Sequence, residues 1–181
     1  MDNTAVQLPQ PPLVTWVLIA DGKQAQIHSY NRSVREVPLG GANKHHLSEE
    51  KASHHLSPVT NGDMKAESIN DYQLGHDRRG QTSSSNSPTY NTYEPQGDIH
   101  EELKRRFMKS IADKLHKAAE SKSFDRLILV APAKMIGELK EHMAADLQKR
   151  VVATLSKDLT HYQGEALMAH LQGTLMDAHI A

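Results

Sequence analysis

Two short runs constrain what this chain can fold into. They are Val14-Thr15-Trp16-Val17-Leu18-Ile19-Ala20 and Phe124-Asp125-Arg126-Leu127-Ile128-Leu129-Val130-Ala131. A strand with one wet face alternates apolar and polar residues. A run without alternation reads as a strand buried on both faces, as where helices cover both sides of a sheet. Asp21-Gly22 follows the first run and signals a two-residue hairpin turn. Residues 23–30 then alternate, with Ala25 and Ile27 on one face and Gln24, Gln26, His28 and Tyr30 on the other. After the second run, Pro132 suits a first helical position, and Met135, Ile136, Leu139 and Met143 form an apolar stripe. Val151 to Leu155 reads as another strand. Strand, helix, strand at this spacing is a βαβ unit, with parallel strands and a right-handed crossover.

Ile99, Leu103, Phe107, Ile111 and Leu115 recur every four residues. They predict an amphipathic helix over 98–118, with Asp98 as N-cap and Glu101-Glu102 in its first turn. A last helix is expected over 162–175. The expected fold class is α/β, a single mixed sheet flanked by helices. The strands at 14–20, 23–30, 126–131 and 151–155 should share that sheet, with the helices at 98–118 and 133–147 packed on it. Trp16, Leu18, Phe107, Ile111, Ile128 and Val130 should be buried.

The remainder is polar. At 181 residues the chain is one domain of ordinary size, expected over 13–176 behind a flexible lead at 1–12. Asn31-Arg32 suggests a turn and 34–39 a third strand. From about 40 to 97 Ser, Asn, Gly, Pro and His dominate, which predicts a loop-rich insertion. Within it a short helix over 47–56 and a short strand over 69–74 are expected, with the highest mobility over 76–97. Lys+Arg number 21 and Asp+Glu 22, so the net charge supplies no global pull toward nucleic acid and any such contact needs a local patch. The absence of cysteine excludes disulfides, thiolate nucleophiles and Cys-based zinc sites. The longest apolar run, Leu13 to Ala20, is too short to span a bilayer. Asp2, Pro9, Pro11 and Pro12 do not fit a secretory signal. A cytoplasmic protein without membrane insertion is expected.

Arg78-Arg79-Gly80-Gln81 combines two guanidiniums that can fork onto phosphates with a glycine that admits close backbone approach. An exposed turn explains the same residues. Lys104, Arg105, Arg106, Lys109 and Lys114 give the long helix a basic side that could join Arg78 and Arg79 in a positive strip, or serve as an ordinary solvated face. On a helical 47–56 stretch, His46, Glu50 and His54 would share one face at steps of four, so that adjacent members could hold a divalent metal. A solvated, pH-sensitive loop is the simpler account. Asp21, Asp77 and Asp158 stand at loop or strand ends where carboxylates could cooperate, although turn formation accounts for each. No nucleophilic elbow and no Gly-rich phosphate loop stands out, and no cofactor is implied.

Four segments together resemble the bacterial host attachment protein family. These are Trp16-Val17-Leu18-Ile19-Ala20-Asp21-Gly22, Asp77-Arg78-Arg79-Gly80, Leu129-Val130-Ala131-Pro132 with Gly137 downstream, and Lys157-Asp158-Leu159-Thr160. They stand in the family's order across roughly residues 14–175. That family in turn resembles the middle domain of archaeal and eukaryotic peptide-release factors, in which a Gly-Gly-Gln loop precedes a long helix. Here Arg79-Gly80-Gln81 precedes the 98–118 helix, with Arg79 in place of the first glycine. The resemblance implies a fold shared with translation-machinery components and the ribosome or transfer RNA as partner. The main expectation is a non-enzymatic binding module that affects attachment indirectly, with Arg78, Arg79, Gly80, Lys104, Arg105 and Lys109 contacting RNA. One alternative is hydrolysis of the peptidyl-transfer-RNA ester, with Gln81 positioning water. Another is a metal- or pH-responsive regulator built on the His-rich loop.

Overall fold

The structure, a computed structural model, describes residues 13–38, 48–68 and 96–180. The strands are β1 (Thr15–Ala20), β2 (Gln24–Pro38), β3 (Ser48–Pro58), β4 (Met64–Lys65), β5 (Arg126–Val130) and β6 (Val151–Leu155). The helices are α1 (Gln96–Glu120), α2 (Ala133–His142), α3 (Ala145–Lys149) and α4 (Gly164–Ile180). All six strands form one mixed sheet in the order β3-β2-β1-β5-β6, with β4 also on β2.

β1 is antiparallel to β2 and parallel to β5, and every one of its residues is buried. Its unbroken apolar run is thereby explained, because helices cover both faces. On one face Trp16, Leu18, Ile27, Leu127 and Leu129 pack against Phe107, Ile111 and Leu115 of α1 and Leu139 of α2. On the other, Val17, Ile19, Ile128 and Val130 pack against Leu167, Leu171 and Leu175 of α4. The six predicted core residues are all buried, and Phe124 stacks on Trp16 with ring centroids 4.9 Å apart. β5 and β6 are parallel, as the βαβ reading requires.

Several boundaries differ from expectation. α1 begins at Gln96, two residues ahead of the expected N-cap Asp98. The expected 133–147 helix breaks at Met143, whose extended backbone separates α2 from α3. The last helix starts at Gly164 and runs to Ile180.

The largest correction concerns 31–58. No turn forms at Asn31-Arg32, because β2 continues to Pro38 and β3 pairs with it throughout, from His28↔Pro58 to Pro38↔Ser48. The stretch expected to be a helix over 47–56 is therefore mostly strand. Cross-strand hydrogen bonding overrides the helical preference of Glu, Lys, Ala and Leu. β1 pairs with β2 only as far as Thr15↔Tyr30. Beyond it, Asn31–Pro38 and Ser48–His55 form a two-stranded ribbon, eight residues or about 27 Å long by strand rise. The short strand expected at 69–74 and the mobile stretch expected at 76–97 fall outside the described residues, apart from the helical 96–97.

Candidate functional site

The turn after β1 and the loop before α4 meet beyond the carboxyl end of β1. In the turn, the Asp21 amide donates to the Gln24 carbonyl at 2.9 Å, so Gly22 and Lys23 are its central pair, one residue later than Asp21-Gly22 suggested. Asp21 Oδ1 accepts the amides of Lys23 at 2.6 Å and Gln24 at 2.8 Å. Its Oδ2 lies 2.8 Å from the Thr160 hydroxyl, across 139 residues of sequence. The same hydroxyl lies 2.7 Å from Asp158 Oδ1, which also accepts the Thr160 amide at 3.1 Å. One hydroxyl proton is thus shared between two carboxylates. Burial pushes the Asp21 carboxyl up, but the Lys23 and Gln24 amides, the Thr160 hydroxyl and the nearby His161 outweigh it and hold the group below its ordinary value.

Asp21, Asp158 and His161 each present a ligand atom within 4.8 Å of the others. Two carboxylates and an imidazole suit a divalent ion such as zinc or manganese. Hydrogen bonds inside the protein already account for Asp21 Oδ1 and Asp158 Oδ1.

The cluster forms one wall of a cleft of about 990 Å³. Lys23 and Gln24 come from the turn, Lys65 to Ser68 from β4 and its exit, and His100, Leu103 and Lys104 from the first turns of α1. Open α/β sheets bind ligands outside the carboxyl ends of their parallel strands, which is where this cleft lies.

The predicted site residues are distributed unevenly about it. Arg78, Arg79, Gly80 and Gln81 lie outside the described residues, in the segment joining Ser68 to Gln96. Lys104 lines the cleft, yet its ammonium sits 2.9 Å from Glu138 Oε2. Arg105 and Arg106 both bond to Glu102, holding that carboxyl below its ordinary value. Arg106 reaches Glu102 from four residues on and Arg105 from three. Lys109 is exposed on the next turn of α1. Three of the cations on the basic side of α1 are thus paired with carboxylates, Arg105 and Arg106 with one on α1 and Lys104 with one on α2.

The grouping of His46, Glu50 and His54 does not survive the strand. His46 lies outside the described residues, and Glu50 and His54 stand four residues apart on β3, about 13 Å by strand rise. His54 Nδ1 is instead 2.6 Å from the Tyr30 hydroxyl. Thr160 and His161 were not among the sequence-derived candidates. Their signal was the Lys157-Asp158-Leu159-Thr160 segment, but nothing in the sequence pairs it with Asp21.

Asp21 and Asp158 come from the first and last of the four segments noted in the sequence, and they share one hydroxyl. The crystal structure of archaeal translation termination factor aRF1 is similar at 16% identity and a TM-score of 0.46, over 93% of this chain and 35% of that one. The chain therefore spans about a third of that protein's length. No curated protein matches the sequence. The model of a family described as "Protein required for attachment to host cells" matches residues 16–171. Covering both of these segments and all of the sheet but its first residue, that match makes the chain a member of the host attachment protein family.

Proposed function

We propose that this protein is a non-enzymatic RNA-binding module of the cytoplasm, that its ligand is the ribosome or transfer RNA, and that it affects attachment to host cells indirectly. One observation carries the reading. The segment bearing Arg78, Arg79, Gly80 and Gln81 leaves the described fold at Ser68 and rejoins it in the turn before His100, and both of those residues line the cleft that also holds Lys23, Lys65, Lys104 and His161. Two adjacent guanidiniums can fork onto phosphates; the three lysines lining the cleft are matched by Asp21, Glu67 and Asp158, so the positive charge of this reading rests on Arg78 and Arg79. The motif's resemblance to the release-factor loop selects ribosome or transfer RNA among RNAs. Among the described residues no helix is long and apolar enough to cross a membrane.

The test is capture of RNA by the full-length protein from lysate, with and without nuclease. Recovery of ribosomal or transfer RNA that nuclease abolishes supports the reading. Capture of ribosomal proteins that persists after complete nuclease digestion, or no enrichment of either RNA over a control resin, contradicts it.

A further inference from the structure

The other side of the sheet carries a second cleft, of about 830 Å³, between β2–β3 and the first turns of α4. Its size falls in the range of small-molecule sites. Leu56, Leu167 and Met168 give it an apolar floor, and Tyr162, 40% exposed, stands at its edge. Its charges are one-sided. Asp63 and Glu165 line it, and neither lysine nor arginine does so among the described residues. Glu165, in the first turn of α4, offsets the positive end of that helix.

Three imidazoles complete the lining: His28, His54 and His55. Burial holds the His28 ring below its ordinary pKa, with the Asp63 charge opposing, so the ring is neutral at pH 7. Its Nδ1 is shielded from solvent and has no hydrogen-bond partner among the described residues. A neutral ring at this position adds no positive charge against the two carboxylates. The groups facing the ring across the cleft are Asp63, His54 and His55 from the sheet side and Glu165 from α4.

We infer that this cleft is a binding site for an organic cation on an apolar stem. The ammonium or guanidinium head lies toward Asp63, Glu165 and the face of Tyr162, and the stem lies on Leu56 and Met168. Charge complementarity selects the head, cation–π attraction assists it, and burial of the stem supplies the apolar contribution. The site is independent of the RNA reading, since it shares neither wall nor charge with the cleft beyond β1.

The experiment titrates the isotopically labelled full-length protein with hexylammonium, and with hexanoate as a charge-reversed probe of the same stem. Amide and methyl shifts report on Leu56, Leu167, Met168 and Ala169. Saturable shifts there with hexylammonium, at millimolar affinity, and none with hexanoate are expected. Asp63→Asn with Glu165→Gln should weaken binding about fivefold, as the loss of two exposed charge contacts implies. Both side chains are exposed, so an unchanged melting temperature will show that the variant is folded. Lowering the pH until the His28 ring takes up a proton, followed on its own imidazole resonances, should also weaken binding. Equal shifts with both probes would mean apolar adhesion only and would overturn the proposal. An absence of shifts would overturn it as well.

Discussion

Thr160 Oγ1 lies 2.8 Å from Asp21 Oδ2 and 2.7 Å from Asp158 Oδ1, tying the first turn of the fold to its last loop. Replacing Thr160 by Val keeps the shape but leaves two carboxylates facing each other without the shared proton. Asp21 is half-buried and Asp158 exposed, so the expected cost is about 0.5–1.5 kcal/mol, the net worth of a hydrogen bond whose acceptors water can reach. Thr160→Ser should recover most of it. Urea unfolding of both variants measures this, and a double-mutant cycle with Asp21→Asn should show coupling beyond simple addition.

Acid should loosen the fold in two windows. The His28 pKa is lowered in the folded state, so as pH falls through the unfolded value, about 6.5, the unfolded chain takes up the proton first and stability declines. The Asp21 pKa is also lowered, so its contribution is complete above the unfolded value, about 3.9, and is lost as pH falls toward the folded value. Chemical denaturation against pH should show both declines. His28→Leu should flatten the first and Asp21→Asn the second. Unchanged slopes in these variants would contradict the assignments.

Gly62 sits where the edge of the sheet breaks between β3 and β4. A Cβ there would meet the Ile27 carbonyl at 2.7 Å and the Val59 carbonyl at 2.8 Å. Both are backbone atoms, which cannot swing aside. Gly62→Ala should therefore cost about 1–3 kcal/mol through overpacking. Gly22→Ala is the control, because its Cβ would enter open space, and it should change stability by less than about 0.5 kcal/mol. Thermal unfolding of the pair reads the difference.

These contacts mark where the sequence was readable. β1 and β5 announced themselves because burial on both faces leaves an unalternating apolar run. α1 did so because its stripe recurs every four residues. β3 was hidden. Its side chains facing α4, among them His54 and Leu56, are only half-buried, and Glu, Lys and Ala around them favour a helix when neighbours are ignored. The partner that decides its state is β2, and that pairing is tertiary. The site was half legible for the same reason. Asp21 and Asp158 each looked like a turn residue, and each is one. Their meeting through Thr160 depends on β1 lying in the sheet with α4 behind it, which no local spacing encodes. The basic side of α1 was visible, but the pairing of its cations was only partly so. Glu102 lies on the same helix, whereas Glu138 reaches Lys104 from α2.

Gln81 separates binding from catalysis. A neutral amide releases no counterions, so Gln81→Ala should leave RNA affinity within about twofold. Neither wild type nor variant should release the acyl group from a peptidyl-transfer-RNA substrate. Hydrolysis by wild type that Gln81→Ala abolishes would replace the binding reading with an enzymatic one.

The most direct measurement is co-sedimentation of the full-length protein with ribosomes, and its binding to transfer RNA, across a salt series. Phosphate contacts make the logarithm of affinity fall linearly with the logarithm of salt concentration. Wild type should bind at low salt with a steep negative slope. Arg78→Ala with Arg79→Ala should bind more weakly and with a shallower slope, by one to two released ions. Wild-type protein that binds neither at any salt concentration, or a double variant with unchanged affinity and slope, would contradict the account.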